Sequence, residues 1–176
     1  MKGRQSACCF SGHRPAKLPW GTNENDPRCL ALKEELASRL EGIYEAGYRR
    51  FLCGMAEGCD MYFAEAVLDL RRRYADVSLE AAIPCGTQPD KWKIQQRQRY
   101  NRLLDSCDRV NVLQINYTPD CMLRRNRYMV DRSSLLLACS VVSSFSVRQE
   151  AIHLQRLTNQ NPTVALSQIS KTNCNL

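Results

Sequence analysis

Arg50-Phe51-Leu52-Cys53-Gly54-Met55-Ala56-Glu57-Gly58-Cys59-Asp60 is the stretch whose reading decides the fold. Residues 50–53 are a short apolar run closed by Gly54, the pattern of a buried strand with its stop signal. From residue 57 to about residue 74, Phe63, Ala64, Val67, Leu68 and Leu70 draw a single helical stripe. Two glycines stand before the helix N-terminus, where free N–H groups and the helix dipole point outward and attract an anion. Gly54 and Gly58 are therefore candidate ligand residues, although a G-x-x-x-G spacing alone names no ligand. Asp60, in the first turn, has two readings: a capping carboxylate, or an acceptor for a ribose or base.

The same alternation continues in both directions. Upstream, residues 6–10 form an apolar run ending at Ser11-Gly12, and Asp26-Pro27 supply a helix cap and a first-turn proline. Leu32, Leu36, Leu40 and Ile43 follow at helical spacing, and Gly47 is a C-terminal cap. Downstream, the pattern predicts a strand at 77–83 stopped by Pro84, a polar helix at 90–104 and a strand at 109–113. A helix over 120–132, a buried strand at 135–139, a helix over 147–157 and a last strand at 163–166 complete the chain. Alternating strands and helices specify a single-domain, Rossmann-like, three-layer α/β sandwich with a mostly parallel sheet. No repeat or linker interrupts it, so residues 1–176 are expected to form one domain.

Composition narrows the function classes. With 44% hydrophobic and 24% charged residues the chain is an ordinary globular mixture, which argues against disorder. No window approaches a membrane span, and the apolar stretch after the basic start is too short for a secretory signal. The expected location is the cytoplasm. Ten cysteines include no C-x-x-C pair, and only His13 and His153 accompany them, so no zinc-finger spacing exists and no metal is expected. Cys8, Cys9, Cys53 and Cys139 sit in apolar runs, as reduced structural thiols do. A net charge of +7 and a pI near 9.0 favour anionic partners. Arg71-Arg72-Arg73, however, has a simpler reading as a helix C-terminus complementing its dipole.

In open α/β sheets ligands sit beyond the carboxyl ends of the strands, and two further loops there carry unusual residues. Phe10-Ser11-Gly12-His13-Arg14-Pro15 offers a glycine for close backbone approach and two side chains that donate to phosphate. The plainer reading is a turn with a charged rim. Ile83-Pro84-Cys85-Gly86-Thr87-Gln88-Pro89 is followed by Lys91-Trp92, where Trp92 reads as a packing residue before a base-stacking platform. Farther on, Asn126 falls near the start of a helix and Asp131 near its end, with Arg124 or Arg127 spaced to pair with Asp131.

Four blocks occur in order: Ser11-Gly12-His13-Arg14-Pro15; Gly54-Met55-Ala56-x-Gly58-x-Asp60; Ile83-Pro84-Cys85 with Gln88 and Lys91-Trp92; and Arg125-Asn126-x-x-Met129-Val130-Asp131. Together they resemble the bacterial YpsA-like family of the SLOG superfamily, which groups the DNA-processing protein DprA with the Lonely Guy phosphoribohydrolases. The resemblance covers about residues 6–139. It implies a Rossmann-like fold that binds nucleotides or nucleotide-derived ligands. The pocket residues it implies are Gly12, His13, Arg14, Pro15, Gly54, Gly58, Asp60, Gln88, Asn126 and Asp131. Relatives follow the fifth strand with a Gly-Gly-Thr turn; here Ser140-Val141-Val142-Ser143-Ser144-Phe145-Ser146 contains no glycine. The P-G-G-x-G-T-x-x-E pattern of Lonely Guy enzymes is also missing.

The expectation is thus a binding module for a nucleotide-like small molecule, without a resident cofactor. The alternatives are a hydrolase or transferase acting on a nucleotide's glycosidic or phosphate linkage, or DprA-like binding of single-stranded nucleic acid. For an enzyme, Asp60, Glu57, His13 and Asp131 are the candidate acid/base groups, but no nucleophile–base pair is legible. Nucleic acid is the less favoured partner, because no basic and aromatic residues interleave. A homo-oligomer through outer helices stays open.

Overall fold

The structure, a computed structural model, describes residues 6–139. Five strands alternate with four helices: β1 Ala7–Gly12, α1 Pro27–Glu45, β2 Arg50–Cys53, α2 Cys59–Arg73, β3 Ser78–Ile83, α3 Ile94–Asp105, β4 Arg109–Val112, α4 Cys121–Asp131 and β5 Leu135–Cys139. Every strand pairing is parallel, and the order across the sheet is β4-β3-β2-β1-β5. This is the expected three-layer Rossmann-like sandwich. The expected tail helix, last strand and Ser143–Ser146 segment lie outside the described residues.

Period-two alternation in the strands divides the core into two clusters. Phe10, Phe51, Leu79 and Leu137 face α1, α2 and α3, and Phe63 of α2 stacks on Phe10 at 4.4 Å between ring centroids. Cys9, Leu52, Ala82 and Leu136 point the other way, onto Met129 and Val130 of α4. Right-handed crossovers explain this segregation. The chain steps from β1 out to β4 in one direction with its helices on one face. It then returns across β1 to β5, which puts α4 on the opposite face.

Local signals set the element ends. Asp26 accepts from the Arg28 N–H at 2.9 Å, with Pro27 in the first turn of α1. At the other end Gly47 has φ +98°, its N–H reaching the Tyr44 carbonyl while the Tyr48 N–H reaches Ile43, a Schellman closure. The expected helix at 90–104 begins four residues late, at Ile94. Consecutive turns consume the segment before it, closed by Gln88 N to Cys85 O, Asp90 N to Thr87 O and Trp92 N to Pro89 O. Trp92 packs edge-on against Tyr100 at 5.3 Å, as a packing residue does.

The cysteines of the described residues are free, and all but Cys107 are buried. Burial pushes the Cys9 thiol up to about 11 and the Cys107 thiol to about 12, so both stay protonated. Among the described residues no helix is long and apolar enough to cross a membrane.

Gly42 within α1 and Gly47 just past its end give predictions of opposite sign. Gly42, helical with open space at its Cβ position, should gain up to ~1 kcal/mol as Gly42→Ala. Gly47→Ala should lose about 1 kcal/mol because of its positive φ. Urea denaturation of both variants measures the pair.

Candidate ligand site at the strand-order reversal

Strand order reverses at β1, whose neighbours are β2 on one side and β5 on the other. The two carboxyl ends meet where Gly12 pairs with Cys139, the topological switch point at which open α/β sheets take ligands. The β1 loop, the β2–α2 loop and the N-terminal half of α4 come together here.

The β1 loop is pinned from below. His13 is buried, and its carbonyl accepts from the Cys59 N–H at 3.1 Å, tying the loop to the start of α2. Gly58 makes this approach possible: with φ +88°, a Cβ there would stand 2.8 Å from the His13 carbonyl and 3.0 Å from Pro15 Cδ. Gly12 is equally constrained, since its Cβ would lie 2.5 Å from Cys59 Cβ. Arg14 stays exposed and reaches over to α4, its Nη2 lying 3.5 Å from Met122 Sδ. Pro15 opens a single 3-10 turn through Lys17.

Beneath the β2–α2 loop lies a buried charge pair. Asp60 Oδ2 accepts from the Ala56 N–H at 3.1 Å and lies 3.7 Å from Arg125 Nη1, and both side chains are almost wholly buried. Arg125 fits because residue 54 is glycine: a Cβ there would fall 1.5 Å from Nη1. Burial raises the Asp60 carboxyl above its ordinary range; Arg125, the Ala56 N–H and Arg14 oppose that rise. Glu57, half-buried at the rim, is also pushed up by burial, against the pull of Arg14 and Lys93.

Two side chains brace this floor. Gln88 Nε2 donates to the Gly54 carbonyl at 3.2 Å and to the Met55 carbonyl at 3.1 Å. Asn126 Oδ1 accepts from Arg125 Nε at 2.8 Å. Gln88 Oε1 and Arg125 Nη1 are buried without a hydrogen-bond partner, as are Trp20 Nε1 and Ser133 Oγ.

Comparison with known proteins places this arrangement in a family. The profile of the YspA SLOG family matches residues 8–141. The chain belongs to the YspA SLOG family. It is 27% identical over 131 residues to UPF0398 proteins of Bacillus thuringiensis strain Al Hakam and Bacillus cereus strain AH187, covering 73% of this chain and 70% of each relative. Among solved structures it is similar to one reported for the single-stranded DNA binding mode of DNA processing protein A from Helicobacter pylori. That similarity has TM-score 0.54 at 13% identity, over 97% of this chain and 67% of the other, and it shows a shared fold.

Within this SLOG-family fold, Gly12, His13, Arg14, Pro15, Gly54, Gly58 and Asp60 gather at the switch point, with Gln88 and Asn126 beside them. Asp131 does not join them. It is the exposed last residue of α4, which runs back toward the amino edge of the sheet. Nor does an ion pair form between Asp131 and Arg124 or Arg127; Arg124 lies 3.8 Å from Asp120 instead, one turn earlier. Asp60 is not the cap of α2 either, since Gly58 holds that position without a side-chain bond. Arg125 was missing from the sequence-derived residue set. Its signal was there, an arginine on the same helical face as Met129 and Cys121, where a charge must find a buried partner.

Replacing Gly54 by alanine should expel the Arg125 guanidinium and cost about 3 kcal/mol in chemical denaturation. Because the folded-state carboxyl of Asp60 titrates above its unfolded value, the unfolded chain loses this proton first as pH rises. Wild-type stability relative to Asp60→Asn should therefore fall as pH climbs from about 4. Parallel thermal melts across that range check the sign.

Proposed function

We propose that this chain binds a nucleotide or nucleotide-derived small molecule at the switch point between β1 and β5. The observation that carries the reading is the convergence of Arg14, the start of α2 and the Arg125–Asn126 pair at one carboxyl edge of the sheet. Membership of a SLOG family agrees with it. In this reading the exposed Arg14 guanidinium takes a phosphate with charge-assisted hydrogen bonds. The half-buried Asn126 keeps its amide donors for a sugar or base, its oxygen being committed to Arg125. Asp60 acts from underneath by holding Arg125 and the Ala56 N–H in place.

Calorimetry with a panel of mononucleotides tests this directly. One member should bind with measurable heat, and Arg14→Ala should weaken it by about 2 kcal/mol, roughly 30-fold in Kd. No heat from any member with the unmutated protein would overturn the reading.

A second reading, a single-stranded nucleic acid, is favoured by one feature of the rim. Lys17, Lys91, Lys93 and Arg97 are exposed around the same edge, and among the described residues none has a carboxylate within ion-pair distance. The similar structure of DNA processing protein A concerns single-stranded DNA. Retention of a labelled oligonucleotide that falls steeply with salt would support this reading over the first.

A further inference from the structure

Met55, in the middle of the β2–α2 loop, has φ +55° and is the one non-glycine residue with positive φ among the described residues. For an L-residue this left-handed conformation is costly and persists only where its surroundings impose it. Its side chain is fully buried in the main core, which excludes an exposed turn that happens to relax there. The Cys53 thiol reaches the Met55 backbone from the end of β2, while the Met55 carbonyl takes its hydrogen bond from outside the loop.

We propose that Gln88 is a positioning residue that latches Met55 in the left-handed conformation and thereby sets the shape of the ligand loop. Its Nε2 reaches from the β3–α3 connection to two consecutive carbonyls, Gly54 O and Met55 O, one on each side of the strained φ. From the other side the Ala56 N–H is held by Asp60 Oδ2. The peptide after Met55 is thus clamped at both its oxygen and its nitrogen, by side chains from two different elements. With the latch in place residue 54 sits where any Cβ would collide with the Arg125 guanidinium. Gln88 therefore works on the ligand through the loop rather than by touching it. This ligand half of the proposal rests on the nucleotide reading above.

The test separates the latch from the nucleotide. Hydrogen exchange of the loop amides at 55–58 is read in the full-length protein for Gln88→Ala, and for Met55→Ala and Met55→Gly in both wild-type and Gln88→Ala backgrounds. Both changes at residue 55 remove the same buried side chain, so their difference isolates the backbone conformation. In Gln88→Ala the loop amides should exchange about tenfold faster, while those of β2 and β3 keep their protection. In that background glycine at residue 55 should protect the loop better than alanine, the reverse of their usual order. Unchanged exchange in Gln88→Ala, or no difference between the two residue-55 variants, overturns the latch. Nucleotide affinity should follow the same ranking. If exchange follows it while no variant binds any nucleotide, the latch stands and the nucleotide reading falls.

Discussion

A guanidinium needs room and a counter-charge before it can be buried, and the carboxyl edge of this sheet is organised around supplying both to Arg125. Gly54 leaves the room by having no Cβ, and Asp60 leaves a carboxylate 3.7 Å away. The cost of that burial is visible in an Arg125 nitrogen without a hydrogen bond and in a carboxyl whose proton is held more tightly. Because Arg125 belongs to α4 and Asp60 to α2, the pair joins helices on opposite faces of the sheet. It does so at the point where strand order reverses.

From this constraint follows a different account of the glycines. A glycine near a helix N-terminus suggests that a ligand approaches the backbone. Here the space beside Gly12, Gly54 and Gly58 is filled by the protein's own Cys59, Arg125 and His13. The glycines pack the floor of the candidate site, and the side chains left at its surface are the exposed Arg14 and the half-buried Asn126. A ligand at this edge would meet loops already tied down by hydrogen bonds, which lowers the ordering cost of binding.

Much of the fold was legible in the sequence because its signals are local. Asp26-Pro27 and Gly47 mark the ends of α1, and the apolar runs at 50–53 and 135–139 coincide with strands. The start of α3 was misplaced, since successive turns through Cys85 to Trp92 depend on carbonyls that periodicity does not see. The arrangement of the candidate site was half legible. Residues adjacent in sequence to strand ends were found, whereas the role of Arg125 depends on a contact with residues 54 and 60 across the sheet. Asp131 was drawn in by the family resemblance of its block, which says nothing about which end of α4 faces the loops.

The proposed ligand position is over the β1–β5 switch point, above the Asp60–Arg125 pair. Amide chemical-shift mapping during titration with an adenine or guanine mononucleotide tests this most directly. The account predicts shifts concentrated at residues 12–14, 54–60 and 122–126, with the amino edge of the sheet unmoved. Shifts centred on the exposed β4 edge, or scattered over the helices away from these loops, would contradict it.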